Sequence, residues 1–145
     1  MKTNIRAITL AVSDLERSLR FYRDGLGLFS PGIIGTEFVR DEQHPGGSVA
    51  MFTLDNGLIL SLYSRTDLAM DAGIALDRVA GSPISLGFFA DSRADVDHIL
   101  QQAVQAGGAI VRPPVIRPWG IYAGYFADPD GHLWEAMYFL NGIPE

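Results

Sequence analysis

The chain contains no cysteine, which removes a disulfide framework, thiolate catalysis and sulfur-ligated metal from the start. It also lacks any long hydrophobic run, since no segment approaches the roughly 20 apolar residues of a membrane-spanning helix. The apolar stretch nearest the N-terminus, AITLAV after Lys2 and Arg6, is shorter than a signal peptide's core and stops at SDLER. A soluble, cytoplasmic protein is therefore expected. Basic residues are scarce: 11 Lys and Arg against 17 Asp and Glu give a formal net charge of −6, and the 11 are scattered along the chain. Without a basic face, nucleic acid is not an expected partner.

What is present suits a globular protein. At 145 residues, 48% hydrophobic and 19% charged, the chain has the length and composition of one compact domain, residues 1–145. NIRAITLAV alternates and is rich in β-branched residues, which predicts a strand. SDLERSLRFYRDGLGL follows, with Ser13 and Glu16 at capping-box spacing, Leu15, Leu19, Tyr22 and Leu26 at helical intervals, and Gly25 and Gly27 as a stop. GTEFVRDEQ, GSVAMFTL and GLILSLYS read as three further strands. The last two are joined by Asp55-Asn56-Gly57, residues suited to a tight hairpin.

The second half repeats this order. SPISLGFFA is a strand, Ser92 and Asp95 open a helix carrying Val96, Ile99, Leu100 and Ala103, and Gly107-Gly108 closes it. AIVRPPVI, GIYAGYFA and HLWEAMYFL follow, the last two separated by Asp128-Pro129-Asp130-Gly131, a type I turn sequence. Matching Val12 to Ala90 gives an offset of 78 (90 less 12), and matching Gly57 to Gly131 gives 74 (131 less 57). The fold class is thus α+β, a βαβββ module of about 4–64, a connector of about 65–82 with a short helical pattern, and a second module of about 83–141.

Side-chain alternation then divides each sheet into two faces. With Ile8, Leu10 and Val12 under the first helix and Leu86 and Phe88 under the second, the opposite faces carry Ala7, Thr9 and Ala11, and Ser85, Gly87 and Phe89. In the closing strands, Ser61 and Tyr63 correspond to Glu135 and Met137. A face mixing small, polar and aromatic residues suits a pocket. Glu135 stands out there, because an ionised carboxylate in apolar surroundings needs a cation or hydrogen-bond donors. Its candidate partners are a metal, an arginine such as Arg112 or Arg117, a ligand, or solvent.

AITLAVSDLERSLRFYRDGLGL and YFADPDGHLWEAMYF together resemble the opening and closing motifs of the vicinal oxygen chelate superfamily, which includes glyoxalase I, extradiol dioxygenases and bleomycin-resistance binding proteins. The resemblance implies paired βαβββ modules curling into a cup-shaped mixed sheet with helices outside, and a homodimer, to which the apolar segment MYFLNGIP would contribute. In metal-dependent members four positions hold a divalent ion. By register these fall at Ala7, Ser61, Ser85 and Glu135, of which Glu135 alone is a credible ligand, so no cofactor is expected and a divalent metal is the alternative. His44, His98 and His132 read as surface or loop residues, His132 keeping most interest because a one-residue slip would turn it to the other face.

Two readings follow. In the first, the protein binds a small, partly apolar organic molecule, with Trp119, Tyr122, Phe89 and Tyr63 giving stacking area, Ser61, Ser85 and Thr9 lining the face, and Glu135 fixing a cationic or hydroxylated group. In the second it is an enzyme of the same superfamily, a lyase, isomerase or dioxygenase that uses either a metal or Glu135 as general base. Phe21 and Tyr22 are expected in the core, and RDEQHPGG, residues 40–47, as a solvated connection.

Overall fold

In the computed structural model, which describes residues 4–79 and 84–143, contacts divide the chain into two units, Met1–Gly81 and Ser82–Glu145. Ser82 and Pro83 of the expected strand, the last residues of the connector and Pro144 of the C-terminal segment lie outside the described residues.

The first unit opens with β1 (Ala7–Val12), then α1 (Leu15–Leu19), continued by a π-helical turn over Arg20–Gly25. The expected capping box is corrected: Asp14 is the N-cap, its side chain accepting from the Arg17 N–H at 3.0 Å, while Ser13 Oγ accepts from the Arg17 guanidinium at 2.9 Å. Asp is as good an N-cap as Ser, and the extended backbone at Asp14 puts its carboxylate over the free amides. In the π-helical turn the Leu26 N–H reaches back five residues to the Phe21 carbonyl. Phe21 and Tyr22, adjacent in sequence, are both buried in edge-to-face contact at 4.9 Å.

Strands β2 (Ile33–Ile34), β3 (Val49–Thr53) and β4 (Ile59–Ser64) complete a four-stranded sheet in the order β1-β4-β3-β2, with β1 and β4 parallel and the other pairs antiparallel. The strand expected over GTEFVRDEQ is not formed. Its residues turn instead: Gly35 takes φ +75°, the Asp41 carboxylate accepts from the amides of Gln43 and His44, and Gly47 N–H bonds the Phe38 carbonyl. Side-chain acceptors of this kind compete with a sheet ladder for the same backbone donors. After β4, α2 (Arg65–Ala72) starts at an N-capping Ser64, and a 3-10 turn covers Leu76–Val79, as the helical pattern of the connector implied.

The second unit repeats the plan with β5 (Ser85–Phe89), α3 (Arg93–Gln105), β6 (Ala109–Arg117), β7 (Ile121–Ala127) and β8 (Leu133–Phe139). Its sheet order is β5-β8-β7-β6, again with the first and last strands of the module parallel. Ser92 caps α3 by accepting from the Asp95 N–H, and Asp95 in turn accepts from the Asp91 N–H. Val96, Leu100 and Ala103 of the helix are buried, as are Phe126, Trp134 and Ala136 of the sheet, and Phe88 stacks on Trp134 at 4.8 Å. Both modules are therefore βαβββ units with a helix covering one sheet face. Among the described residues no helix is long and apolar enough to cross a membrane.

Candidate functional site

The hairpin between β7 and β8 positions Glu135. Asp128, buried within it, accepts from the amides of Asp130 and His132 through one carboxylate oxygen. The Gly131 N–H bonds the Asp128 carbonyl, and Gly131 takes φ +87°. This closes the turn as a type I element and sets the register of the strands beyond it. Counting outward, Phe126 meets Trp134 on the helix side and Tyr125 meets Glu135 on the other. Glu135 also sits beside Gly87 of β5, and Met137 beside Phe89.

The helix-free face of the second unit thus carries Glu135, Tyr125, Met137, Phe89 and Phe139, the last two in edge-to-face contact at 5.1 Å. A Cβ at Gly87 would come within 2.8 Å of the Met137 methyl, so glycine keeps room there for that side chain. Arg117, at the end of β6, lies with its guanidinium 6.0 Å from the centre of the Tyr125 ring, and Arg112 is paired with Tyr125 in the ladder. Burial pushes the Tyr125 phenol above its ordinary pKa, the negative charge of Glu135 and hydrogen bonding to it push the same way, and the two arginines pull weakly against them. Phenol and carboxylate are thus cross-strand neighbours on a face that also carries Phe89, Met137 and Phe139.

The expected site residues divide as follows. Glu135, Ser85 and Phe89 share the helix-free face of the second unit, and Phe89 is 58% exposed. In the first unit, Thr9 stands beside Ser61, and Tyr63 shares their face; the Tyr63 hydroxyl donates to the Gly46 carbonyl at 2.6 Å. Tyr122 is not brought to Glu135. It is three residues from Tyr125, an odd number, so it projects to the helix side, where its hydroxyl donates to Asp97 of α3 and the Arg93 guanidinium covers its ring at 4.7 Å. Trp119 occupies the turn between β6 and β7 and is 71% exposed. Sequence reading missed Tyr125 as a site residue, although the hairpin turn and strand alternation, counted together, pair it with Glu135. A separate surface cavity in the first unit, lined by Val12, Ser13, Ser64, Arg65, Thr66 and Leu76, contains none of the expected site residues.

The four positions that the resemblance assigns to a metal hold a methyl group, two hydroxyls and one carboxylate. Among the described residues no group of three or more His, Cys, Asp and Glu side chains is placed to hold an ion. His44 is bound up with Asp41 in its own exposed loop and His98 is exposed on α3. This donor set does not fit a divalent cation, which needs three or four strong oxygen or nitrogen ligands.

The loop over residues 40–47 is more than a solvated connection. Asp67 of α2, buried, receives two bonds from the Arg40 guanidinium at 2.6 and 3.1 Å and one from the Gly46 N–H at 2.8 Å. With the Tyr63 contact, these hold both ends of the loop.

Compared with known proteins, the chain matches the family model described as Glyoxalase/Bleomycin resistance protein/Dioxygenase superfamily over residues 4–136. Among solved structures, a glyoxalase-related enzyme from Fulvimarina pelagi is 30% identical, with a TM-score of 0.76 over 94% of this chain and 88% of that one. A glyoxalase/bleomycin resistance protein/dioxygenase from Nocardioides is 23% identical, with a TM-score of 0.72 over 99% and 87%. The fosfomycin resistance protein FosX from Listeria monocytogenes is 19% identical, with a TM-score of 0.65 over 95% and 94%.

Proposed function

This chain belongs to the Glyoxalase/Bleomycin resistance protein/Dioxygenase superfamily, and from that premise we propose that it binds a small, partly apolar organic molecule on the helix-free sheet face around Glu135, without a resident metal. The observation that carries the reading is the cross-strand pairing of Tyr125 with Glu135 beside Met137, Phe89 and Phe139. Apolar side chains give a ligand area to cover, and a convergent acceptor and donor fix its orientation. Glu135 takes a hydroxyl or an ammonium group of the ligand, and Phe89, largely exposed, stacks against its ring. One structure of similar fold is that of a fosfomycin resistance protein, and sequestration of a toxic small molecule is one use of a site of this kind. The protein acts as a soluble, cytoplasmic homodimer in this reading.

The Tyr125 contact also favours a second reading, in which Glu135 removes a proton from the bound molecule and the phenol returns one, giving isomerase or lyase chemistry. Neither reading routes a step through a metal. The test begins with metal content: protein re-equilibrated in turn with Zn, Mn, Fe(II), Ni and Mg and then desalted is expected to retain less than a stoichiometric amount of each ion by mass spectrometry. Retention of one ion per chain, lost in Glu135→Ala, would instead move the assignment to a metal-dependent lyase or dioxygenase. Once a ligand is found by thermal-shift screening, Glu135→Gln separates the two readings, since binding largely survives in both and turnover is lost only in the second.

A further inference from the structure

Two arginines of this chain take part in very different surroundings. Arg40, whose side chain is 45% exposed, has a carboxylate clamped across its guanidinium at 2.6 and 3.1 Å. Arg117 is only 7% exposed, yet its hydrogen bonding consists of one long contact, Nη2 donating to the Ala123 carbonyl at 3.5 Å. Its guanidinium lies 6.0 Å from the Tyr125 ring centre, and among the described residues no carboxylate oxygen comes within 4.0 Å of it. None of its nitrogens is both buried and without a partner, so the part of the guanidinium not bonded to Ala123 still reaches solvent and stands open to an incoming acceptor. A planar guanidinium, with five donors in a fixed fork, is matched best by a carboxylate, phosphate or phosphonate group accepting two of them.

Arg117 pairs with Ile121, which pairs with Phe139, and this row lies on the same face of the sheet as Tyr125 and Glu135. Arg112, exposed and paired with Tyr125, adds a second cation at the same strand. The two cations against the one carboxylate of Glu135 leave this face one positive charge in excess.

We infer that Arg117 is the anion anchor of the site, and that the molecule bound there carries an acidic group for Arg117 at one end and a hydroxyl or amine for the Glu135 and Tyr125 pair at the other. The inference rests on the binding site proposed above and narrows its ligand to small organic acids, hydroxy acids or amino acids with an apolar body. The acid end forms a charge-assisted, bidentate contact in a partly dehydrated place, where such contacts are strongest. The neutral analogue of the same molecule offers the guanidinium no charge-assisted contact, so the acid is preferred.

The probes are 4-hydroxybenzoate and 4-hydroxybenzamide, which share a ring and a hydroxyl and differ in the charge of one group. Each is titrated into the full-length protein at constant ionic strength, with the backbone amides and the Arg117 Nε–H followed by NMR. The expected result is saturable shifts at Gly87, Tyr125 and Glu135 with both probes, an affinity at least about tenfold higher for the acid, and a shift of the Arg117 Nε–H with the acid alone. In Arg117→Met the preference should disappear while the amide binds as before; in Arg117→Lys part of it should remain. Far-ultraviolet circular dichroism and thermal melting check that Arg117→Met is folded, and Arg117→Lys, which keeps the charge, carries the comparison if it is not. Equal affinities in the wild type, or a preference that survives Arg117→Met, would overturn the anchor and leave the binding site standing. Failure of both probes to shift Gly87, Tyr125 and Glu135 would overturn the binding site itself, and the anchor with it.

Discussion

At the scale of single residues, the chemistry of this protein turns on strand parity. Tyr122 and Tyr125 are separated by three positions in one strand, so one bonds Asp97 beneath the helix and the other meets Glu135 on the open face. The Tyr125 phenol has burial as the main cause of its raised pKa, with the Glu135 charge and hydrogen bond second. A phenolate titration followed by ultraviolet absorbance, taken as the difference between wild type and Tyr125→Phe, should therefore show a midpoint above the ordinary tyrosine value of 10.0. In the Glu135→Gln background the same difference should move down without returning to 10.0, because burial remains. A midpoint indifferent to Glu135→Gln would break the proposed pair. The alternation that puts Glu135 on the open face was legible in the sequence, as was the burial of Phe21 and Tyr22. The pairing with Tyr125 was equally legible, needing only a count of three outward from Asp128 and His132 on either side of the turn. What no count along the chain supplies is the degree of burial of Arg117, which depends on how side chains distant in sequence fold over it.

At the scale of elements, the two modules solve the same closing turn with different residues. In the second, Asp128 accepts from its own downstream amides. In the first, Leu54 stands at that position, and Asn56 Oδ1 accepts from the Leu58 N–H instead, with Gly57 at φ +84° as the counterpart of Gly131. Both turns keep a positive-φ glycine and a side-chain acceptor, and this is why the repeat could be read from the sequence. The loop of residues 40–47 could not, because its anchor, Asp67, lies more than twenty residues away on α2. Bonds from Arg40, the strongest influence, and from Gly46 and Ser64 hold the Asp67 carboxyl below its ordinary value of 3.8 against the opposing effect of burial. A carboxylate with a depressed pKa in the folded state stabilises above its unfolded value, and that contribution is lost as pH falls through the folded one. Asp67→Asn should therefore lower stability to urea at neutral pH by about 1–2 kcal/mol, a moderate figure because Arg40 is half in solvent. The gap between variant and wild type should close as the pH drops below 3.8. Hydrogen exchange at Gly46 should accelerate in the variant, and an unchanged rate would mean that the Tyr63 contact alone holds the loop.

At the scale of the whole molecule, the edge of the second sheet is the feature that a single chain leaves unresolved. β6 is an edge strand, and Ile110, Val111, Val115 and Ile116 on it are all exposed, with Trp119 just beyond. An apolar edge of this length in a monomer invites association unless something blocks or covers it. Pro113 and Pro114 within it lack amide donors, and the ladder to β7 shifts register on either side of Arg112. Addition of a further strand in register is therefore disfavoured, and packing of side chains is the contact that remains. The homodimer proposed above would cover this edge with a second copy of the chain. Sedimentation equilibrium at micromolar concentration should give twice the 15.8 kDa chain mass, and Val111→Lys with Ile116→Lys should shift the equilibrium toward the single chain while the far-ultraviolet circular dichroism stays the same. A wild type that sediments as one chain throughout that range would remove the dimer. A dimer insensitive to the paired substitution would place its contact elsewhere, with the exposed Ile143 of the C-terminal segment the next residue to test.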